Sequence, residues 1–230
     1  MTNSHHEIHD GFIRLVAYMA DDLSVVNSAR VSYGQEVGEL TTKDIGLINY
    51  LMRERHGTPF EHNAFRFHVK CPIFVAREWF RHRIGSFNEF SARYAEMPNT
   101  FYTPQPKNIR QQTGKQGHYE YTPIFETSEQ DAFAATDAIA KANERAYATY
   151  LFLLQLGVAR EQARMCLPVN IYTEFYWTVN ARALMNFLEL RTAETAQAEI
   201  REFALAADTM FGEVMPHTYE AWVKNSRVCP

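Results

Sequence analysis

The chain has 230 residues, with 23 basic and 27 acidic side chains for a formal net charge of −4, and 46% of it is hydrophobic and 13% aromatic. That composition buries a sizeable core and excludes a solvated coil. The mild acidity excludes the wrapping of duplex nucleic acid, whose affinity comes from basic groups displacing counterions. No apolar run approaches the ~20 residues that span a bilayer. Met1 to Asp10 is polar, with His5, His6, His9, Glu7 and Asp10, and is expected to be neither a signal nor a transit peptide. The cysteines Cys71, Cys166 and Cys229 form no C-x-x-C pair and are odd in number, which argues against a disulfide framework and for a reducing cytoplasm.

In chain order, Phe12 to Tyr18 is a short apolar run and reads as a strand, after which Ser24 is expected to cap a helix to about Val31. Thr41 with Asp44 three residues later is a capping box, and Ile45, Ile48, Leu51 and Met52 follow at helical spacing until Gly57. From Ala64 to Cys71 the pattern alternates. Phe65, Phe67, Val69 and Cys71 face one way and Arg66, His68 and Lys70 the other, a strand with one wet face. Pro72 suits the first turn of a helix to about Arg83.

Residues Pro104 to Thr127, rich in Pro, Gly and Gln, read as a long loop. Ser128 with Asp131 opens a helix to Leu156 that Gly157 ends, and a shorter helix stops at Pro168. Ile171 to Val179 is β-branched and aromatic, hence a strand; Asn180 caps a helix to about Arg191, and a last helix covers roughly Glu194 to Val214. No repeat or linker divides the chain, so the expectation is one α+β domain over residues 1–230, an antiparallel sheet packed with long helices.

The dinucleotide, P-loop and zincin signatures are absent from the sequence. His56, His62 and His68 with Glu61 match no metal-ligand spacing and read as solvent-facing or hydrogen-bonded histidines. The richest stretch is Arg77 to Tyr94, where four Arg face two Glu, a local positive surplus inside an acidic chain. An Arg81-His82-Arg83 triplet at a helix end could simply offset the helix dipole. Ser86, Asn88, Glu89, Ser91 and Arg93 add donors and acceptors of both signs, a mixture suited to a ligand with phosphate oxygens and a polar base. On the helix from Asn180, Leu184, Phe187, Leu188 and Arg191 share one face, with Arg182 and Asn186 opposite. Arg191, ending an apolar stripe, either reaches water or meets an anion or a charge that develops during a reaction.

These segments resemble the flavin-dependent thymidylate synthases. Arg81-His82-Arg83 with Ser91 matches the R-H-R-x7-S signature, His56-Gly57-Thr58-Pro59-Phe60-Glu61-His62 resembles the H-x-T-P-F-E-H block, and Ile171 to Arg191, with Thr178-Val179-Asn180-Ala181-Arg182 inside it, resembles the W-T-V-N-A-R…N-F-L-x-L-R block. The matches run in family order from Phe12 to Trp222. The resemblance implies flavin (FAD) contacts at Thr58, Arg81, His82, Arg83, Glu89, Asn180, Ala181, Arg182 and Asn186. It implies contacts to deoxyuridylate (dUMP) at Glu78, Trp79, Phe80, Arg81, Glu89, Phe90, Ser91, Ala92, Arg93, Arg164 and Arg191, with Arg191 activating the pyrimidine and His56 near the flavin. It also implies a homotetramer with sites shared between subunits, 5,10-methylenetetrahydrofolate as carbon donor and NADPH as reductant of the flavin. Ligand spacing, net charge and the lack of a long apolar run lead separately to the expectation of no metal, no nucleic acid and no membrane. Two departures stand out: Thr195 replaces a frequent family His, and Pro104 to Thr127 matches no family motif.

The residue types suit that chemistry. With hydride in place of a thiolate nucleophile no activated cysteine is needed, and neither Cys71, among apolar neighbours, nor Cys166, between Met165 and Leu167, has an activating partner in the sequence. Arg191 can stabilise charge on the uracil, while Arg93 and Arg164 suit a phosphate. Ser91 reads as a hydrogen-bond donor, because Arg cannot take its proton. A non-enzymatic nucleotide-binding module and a cysteine-dependent pyrimidine methyltransferase stay open at this point.

Overall fold

The computed structural model describes residues 4–115 and 118–230. In chain order its elements are β1 (His5–Ile8), β2 (Gly11–Met19), α1 (Asp22–Arg30), α2 (Thr42–Arg53), β3 (Ala64–Pro72), α3 (Ile73–Trp79), β4 (Ser86–Glu89), β5 (Arg110–Lys115), β6 (His118–Pro123), α4 (Glu129–Gln155), α5 (Arg160–Ala163), β7 (Tyr172–Asn180), α6 (Ala181–Arg191), α7 (Ala198–Val214) and α8 (Pro216–Lys224), joined by turns and short 3-10 segments. The class is α+β. Residues 1–90 with 173–230 form one compact unit and residues 91–172 a second.

The first unit is built on a five-stranded sheet in the order β1-β2-β3-β7-β4, with β1/β2, β2/β3 and β4/β7 paired antiparallel. Strand alternation sends Ile13 and Leu15, Phe65, Phe67 and Val69, and Phe175 and Trp177 into the core, while a bulge between Leu15 and Ala17 re-registers β2 against β3. Against this face lies the apolar stripe of α6, with Leu184, Phe187 and Leu188 buried. The ring of Trp79, the last residue of α3, stacks on Phe187 with centroids 4.7 Å apart and meets Trp177 at 5.3 Å. Aromatic pairs of this kind contribute about 0.5–1.5 kcal/mol each beyond the area they bury, and this set fixes the end of α3 beside α6. Asn180 caps α6 by accepting from the Ala183 amide at 2.8 Å, and the Ala181 amide donates to Asn63 O at 3.2 Å. Buried Asp22 ties α1 to the start of α8 by accepting from the His217 and Thr218 amides and the Thr218 hydroxyl.

The second unit is organised by α4, whose Ser128 cap accepts from the Asp131 amide and which stops where Gly157 turns left-handed at φ 81°. Tyr150 and Tyr147 hold the Met97 backbone from both sides: the Tyr150 hydroxyl accepts from the Met97 amide at 3.1 Å, and the Tyr147 hydroxyl donates to Met97 O at 3.0 Å.

Several elements differ from the sequence reading. Asp21, not Ser24, caps α1, because its carboxylate reaches the Ser24 amide at 2.6 Å. Helix α2 stops at Arg53, ahead of Gly57, where Arg55 takes a left-handed φ of 57°. Helix α3 ends at Trp79, so Arg81-His82-Arg83 lie beyond it. Burying the Trp79 ring fixes the chain there, and β4 then departs toward β7. Residues 104–127 contain the antiparallel pair β5/β6 within what reads as a loop; both faces are solvent-exposed, so no apolar alternation marks them. The last long helix begins at Ala198, and β1, β4 and α8 lack a periodic signal long enough to read. On the wet side of β3, His68 is buried at 6% exposure, because Tyr176 stacks on it at 4.5 Å and Phe12 meets its edge.

Candidate active site

The C-terminal ends of α3 and α6 meet. Arg191, the last residue of α6, donates from Nη1 to Glu78 Oε2 at 3.0 Å, from Nη2 to Glu78 O at 3.3 Å and from Nε to His82 Nε2 at 3.0 Å. A cation at this place also meets the partial negative charge of its own helix end. Because Arg191 can only donate, His82 accepts at Nε2 and carries any neutral-state proton on Nδ1. Burial, reinforced by the Arg191 charge, pushes His82 down to about 4, so its imidazole is neutral around pH 7. Burial raises the Glu78 carboxyl; Arg191 opposes that rise and Glu199, buried on α7, adds to it. The result is a half-buried guanidinium fixed from two sides, able to stabilise negative charge that develops beside it without reorganising.

Toward the start of α6, Arg182 donates from Nη1 to Glu61 Oε1 at 2.6 Å and from Nε to Pro230 O at 2.7 Å. Gly57 makes that approach possible: a Cβ there would stand 2.4 Å from Arg182 Nε and 2.9 Å from Pro230 O. Thr58 follows directly and lines a cavity of about 1070 Å³, walled by the end of α1 and its following turn, by His56, Pro59 and His62, and by Lys43, Gly46, Leu47, Tyr50 and Leu51 of α2. These α2 residues recur at helical spacing, and Gly46 leaves open space where a side chain would stand. The cavity combines aromatic rings, imidazoles, hydroxyls and cations at its wall, and its size suits a ring system with anionic groups.

Of the triplet, Arg81 and Arg83 are exposed, and among the described residues neither has an ion-pair partner. The turn after them lies tightly on β7, because a Cβ at Gly85 would come 2.8 Å from Trp177 Nε1 and 3.0 Å from Thr178 O. Glu89, at the end of β4, accepts from the Thr173 hydroxyl at 2.7 Å. Phe90 is partly exposed, Phe80 packs on Phe87 and Phe175, and the Trp79 side chain is wholly in the core, leaving only its backbone for a ligand. Asn186 is exposed one turn beyond Arg182.

Ser91, Ala92, Arg93 and Arg164 belong to the second unit. Arg93 pairs with Glu161 at 3.4 Å, both exposed, and its amide donates to Ser91 Oγ at 3.4 Å; Ala92 is buried, and Arg164 is exposed in the turn after α5.

The other sequence candidates separate cleanly. His68 accepts from Arg14 Nε at Nδ1 (2.9 Å) and pairs with Glu174, a sheet-face network within the first unit. Burial pushes the Cys71 thiol well up, and Cys166 donates to Ala163 O at 3.2 Å. Among the described residues no group of His, Cys, Asp and Glu could hold a metal ion, and no helix is long and apolar enough to cross a membrane. The sequence reading missed Lys43 and Tyr50 as members of the site. The stripe Lys43, Gly46, Leu47, Tyr50, beside the apolar stripe of the same helix, is the signal that carries them.

Comparison with known proteins gives a consistent result. The Thy1 family, described as thymidylate synthase complementing protein, matches residues 14–217. A flavin-dependent thymidylate synthase of Thermosipho africanus is 51% identical over 216 residues, 93% of this chain and 91% of that protein. One from Thermus thermophilus is 45% identical over 215 residues, 92% of this chain and 75% of that protein. Crystal structures of a UMP/dUMP methylase, PolB of Streptomyces cacaoi, bound with 5-Br dUMP or 5-Br UMP superpose with a TM-score of 0.87 at 43% and 42% identity, covering 96% of this chain and 98% and 97% of theirs.

Proposed function

Because the chain belongs to the flavin-dependent thymidylate synthase family, we propose that it converts dUMP to dTMP with 5,10-methylenetetrahydrofolate as carbon donor and FAD, reduced by NADPH, as hydride donor. The observation that carries this reading is the meeting of His82, from the R-H-R signature, with Arg191, from the block that ends the next family match, at one point of the first unit, where Glu78, just ahead of the signature, also holds Arg191.

The cavity beside Thr58 fits a flavin in size and in its donors, with Thr58 on its wall and Arg182 against the adjoining Gly57. When bound, the flavin supplies a hydride for the pyrimidine ring. The chain's own residues do the rest. Arg191 offers a fixed positive charge for the uracil as charge builds on it; its hold on Glu78 and neutral His82 keeps it in place before substrate arrives. Arg81, Arg83, Asn180, Ala181, Asn186 and Glu89 complete the flavin set, and the exposed guanidiniums of Arg81 and Arg83 suit its phosphate oxygens. Arg93 and Arg164, with Glu78 to Arg81 and Glu89 to Ala92, hold the nucleotide, the two arginines taking its phosphate.

A homotetramer with sites shared between subunits is supported by α4, of whose 27 residues only Ala132, Asn143 and Tyr150 are buried while Phe133 and Phe152 are exposed. Residues 1–230 act as one functional domain, supported by a family match that runs through both units. The free thiols Cys71, Cys166 and Cys229 suit a reducing cytoplasm.

The bound analogues of the solved methylase favour one addition, UMP as a further substrate. The test of the main reading is the absorption spectrum of the purified chain after FAD is added and free flavin removed. A retained flavin spectrum that shifts with dUMP is expected; a colourless preparation that takes up no FAD contradicts it. Turnover with UMP in place of dUMP decides the addition.

A further inference from the structure

The segment after α8 turns back on itself at two consecutive non-glycine residues in the left-handed region, Ser226 at φ 62° and Arg227 at φ 56°. Such a pair is unfavourable and persists only where its surroundings over-determine it. Here they do. The Arg227 guanidinium pairs with Asp208 on α7, donates to the Tyr219 hydroxyl at 3.3 Å and lies 4.2 Å over the Trp222 ring. The reversal carries residues 228–230 along α6, between Glu189 in its last turn and Arg182 in its first. There the Cys229 amide donates to Glu189 Oε2 at 2.8 Å, the Cys229 thiol donates to Arg182 O at 3.2 Å, and Pro230 O accepts from Arg182 Nε at 2.7 Å. Pro230 is buried by this packing. Glu61 holds Nη1 of the same guanidinium, and Gly57 leaves the space it occupies.

We propose that Cys229 and Pro230, anchored through Arg227 and Glu189, are a clasp that positions Arg182 for the flavin. Two of the three guanidinium nitrogens are taken, Nε by Pro230 and Nη1 by Glu61, which leaves Nη2 to donate to an acceptor on the ligand. A half-exposed arginine otherwise samples many rotamers, and ordering it in advance removes that cost from binding. The clasp rests on the reading of Arg182 as a flavin contact. It acts through Arg182 and touches no reacting atom, so it is a positioning device.

Deleting Cys229 and Pro230 is expected to weaken FAD binding about tenfold, comparable with Arg182→Ala, as loss of one oriented charge-assisted donor predicts. In the Arg182→Ala background the same deletion is expected to cost nothing further, because the two changes remove one interaction. Flavin fluorescence titrations of the four proteins measure this. An unchanged FAD affinity in the deletion alone, or two full losses that add in the combined variant, overturns the proposal.

A second arm uses the intact chain without flavin. If the clasp holds Arg182, Arg182 equally holds the clasp, so Arg182→Ala should raise the rate of maleimide labelling at Cys229, mapped by mass spectrometry, at least about fivefold. An unchanged labelling rate overturns the proposal even if the deletion variant fails to fold. A wild-type chain that binds no FAD removes the flavin reading and with it the clasp's purpose, while the labelling result shows separately whether the two elements are coupled.

Discussion

Arg191 Nη1 and Glu78 Oε2 lie 3.0 Å apart, although 113 residues separate them in the chain. The contact exists because the Trp79 ring, buried against Phe187, fixes the end of α3 beside the end of α6. It converts an arginine that ends an apolar stripe into a fixed cation with one neutral and one acidic neighbour.

Arg191→Ala should therefore leave folding and flavin binding intact and reduce turnover about a hundred- to a thousand-fold, the ~2.7–4 kcal/mol that one preorganised charge stabiliser contributes to a transition state. Steady-state dTMP formation by a folded, flavin-loaded variant is the check. Wild-type turnover would remove Arg191 from the reaction.

His82 gives the pH dependence of stability its sign. Its folded value is about 4 against an ordinary 6.5, so above about 6.5 neither folded nor unfolded chain is protonated there and the group contributes no change. As pH falls from about 6.5 toward about 4, the unfolded chain takes a proton that the folded chain refuses, and stability declines. Burial lowers His68 in the same direction. Thermal unfolding followed from about pH 7.5 to about 5.5 should show this decline, and His82→Gln should flatten part of it. A slope identical to wild type in the variant would mean the histidine stays accessible to protons.

Gly57→Ala is predicted to separate stability from binding. Its Cβ would collide with Arg182 Nε and Cζ, at 2.4 and 2.7 Å, and with Pro230 O. The backbone of Gly57 is ordinary for any residue, at φ −72°, so the fold absorbs the change by moving the long Arg182 side chain. The melting temperature should shift by only a few degrees, whereas FAD affinity should fall about tenfold. Unaltered affinity would show that the position of Arg182 does not matter to the flavin.

Cys71→Ala, Cys166→Ala and Cys229→Ala should each retain methyl transfer. Burial keeps the Cys71 and Cys229 thiols protonated, and the Cys166 and Cys229 thiols donate to backbone carbonyls, which take no proton. Cys229→Ala removes the thiol bond to Arg182 O but leaves the Pro230 contact in place. One folded, flavin-loaded and inactive single variant would revive a thiolate mechanism.

How much of this was legible in the sequence follows from the range of the forces involved. Local signals were readable: Thr41 with Asp44, Ser128 with Asp131, and Asn180 all cap the helices their spacing predicts. So was the wet-and-dry alternation of β3, except that His68 is covered by Tyr176 from β7, a contact no local pattern contains. Short elements such as β4, and the wholly exposed β5/β6 pair, have too few apolar positions to show a period. In the site, the individual residues were visible through the family blocks, but their pairing was not. Arg191 with Glu78, and Arg182 with Glu61 and Pro230, are fixed by packing between distant segments. The end of α3 at Trp79 likewise follows from burying its ring against α6, which no capping residue announces.

The most direct test of the account is a single turnover without oxygen. The FAD-loaded chain is reduced with NADPH, separated from excess NADPH, and mixed with dUMP and 5,10-methylenetetrahydrofolate while flavin absorbance and dTMP are followed together. The account predicts that the flavin reoxidises only when both substrates are present, with about one dTMP formed per flavin oxidised. Formation of dTMP with no change in the flavin, or in a chain carrying no flavin, would contradict it.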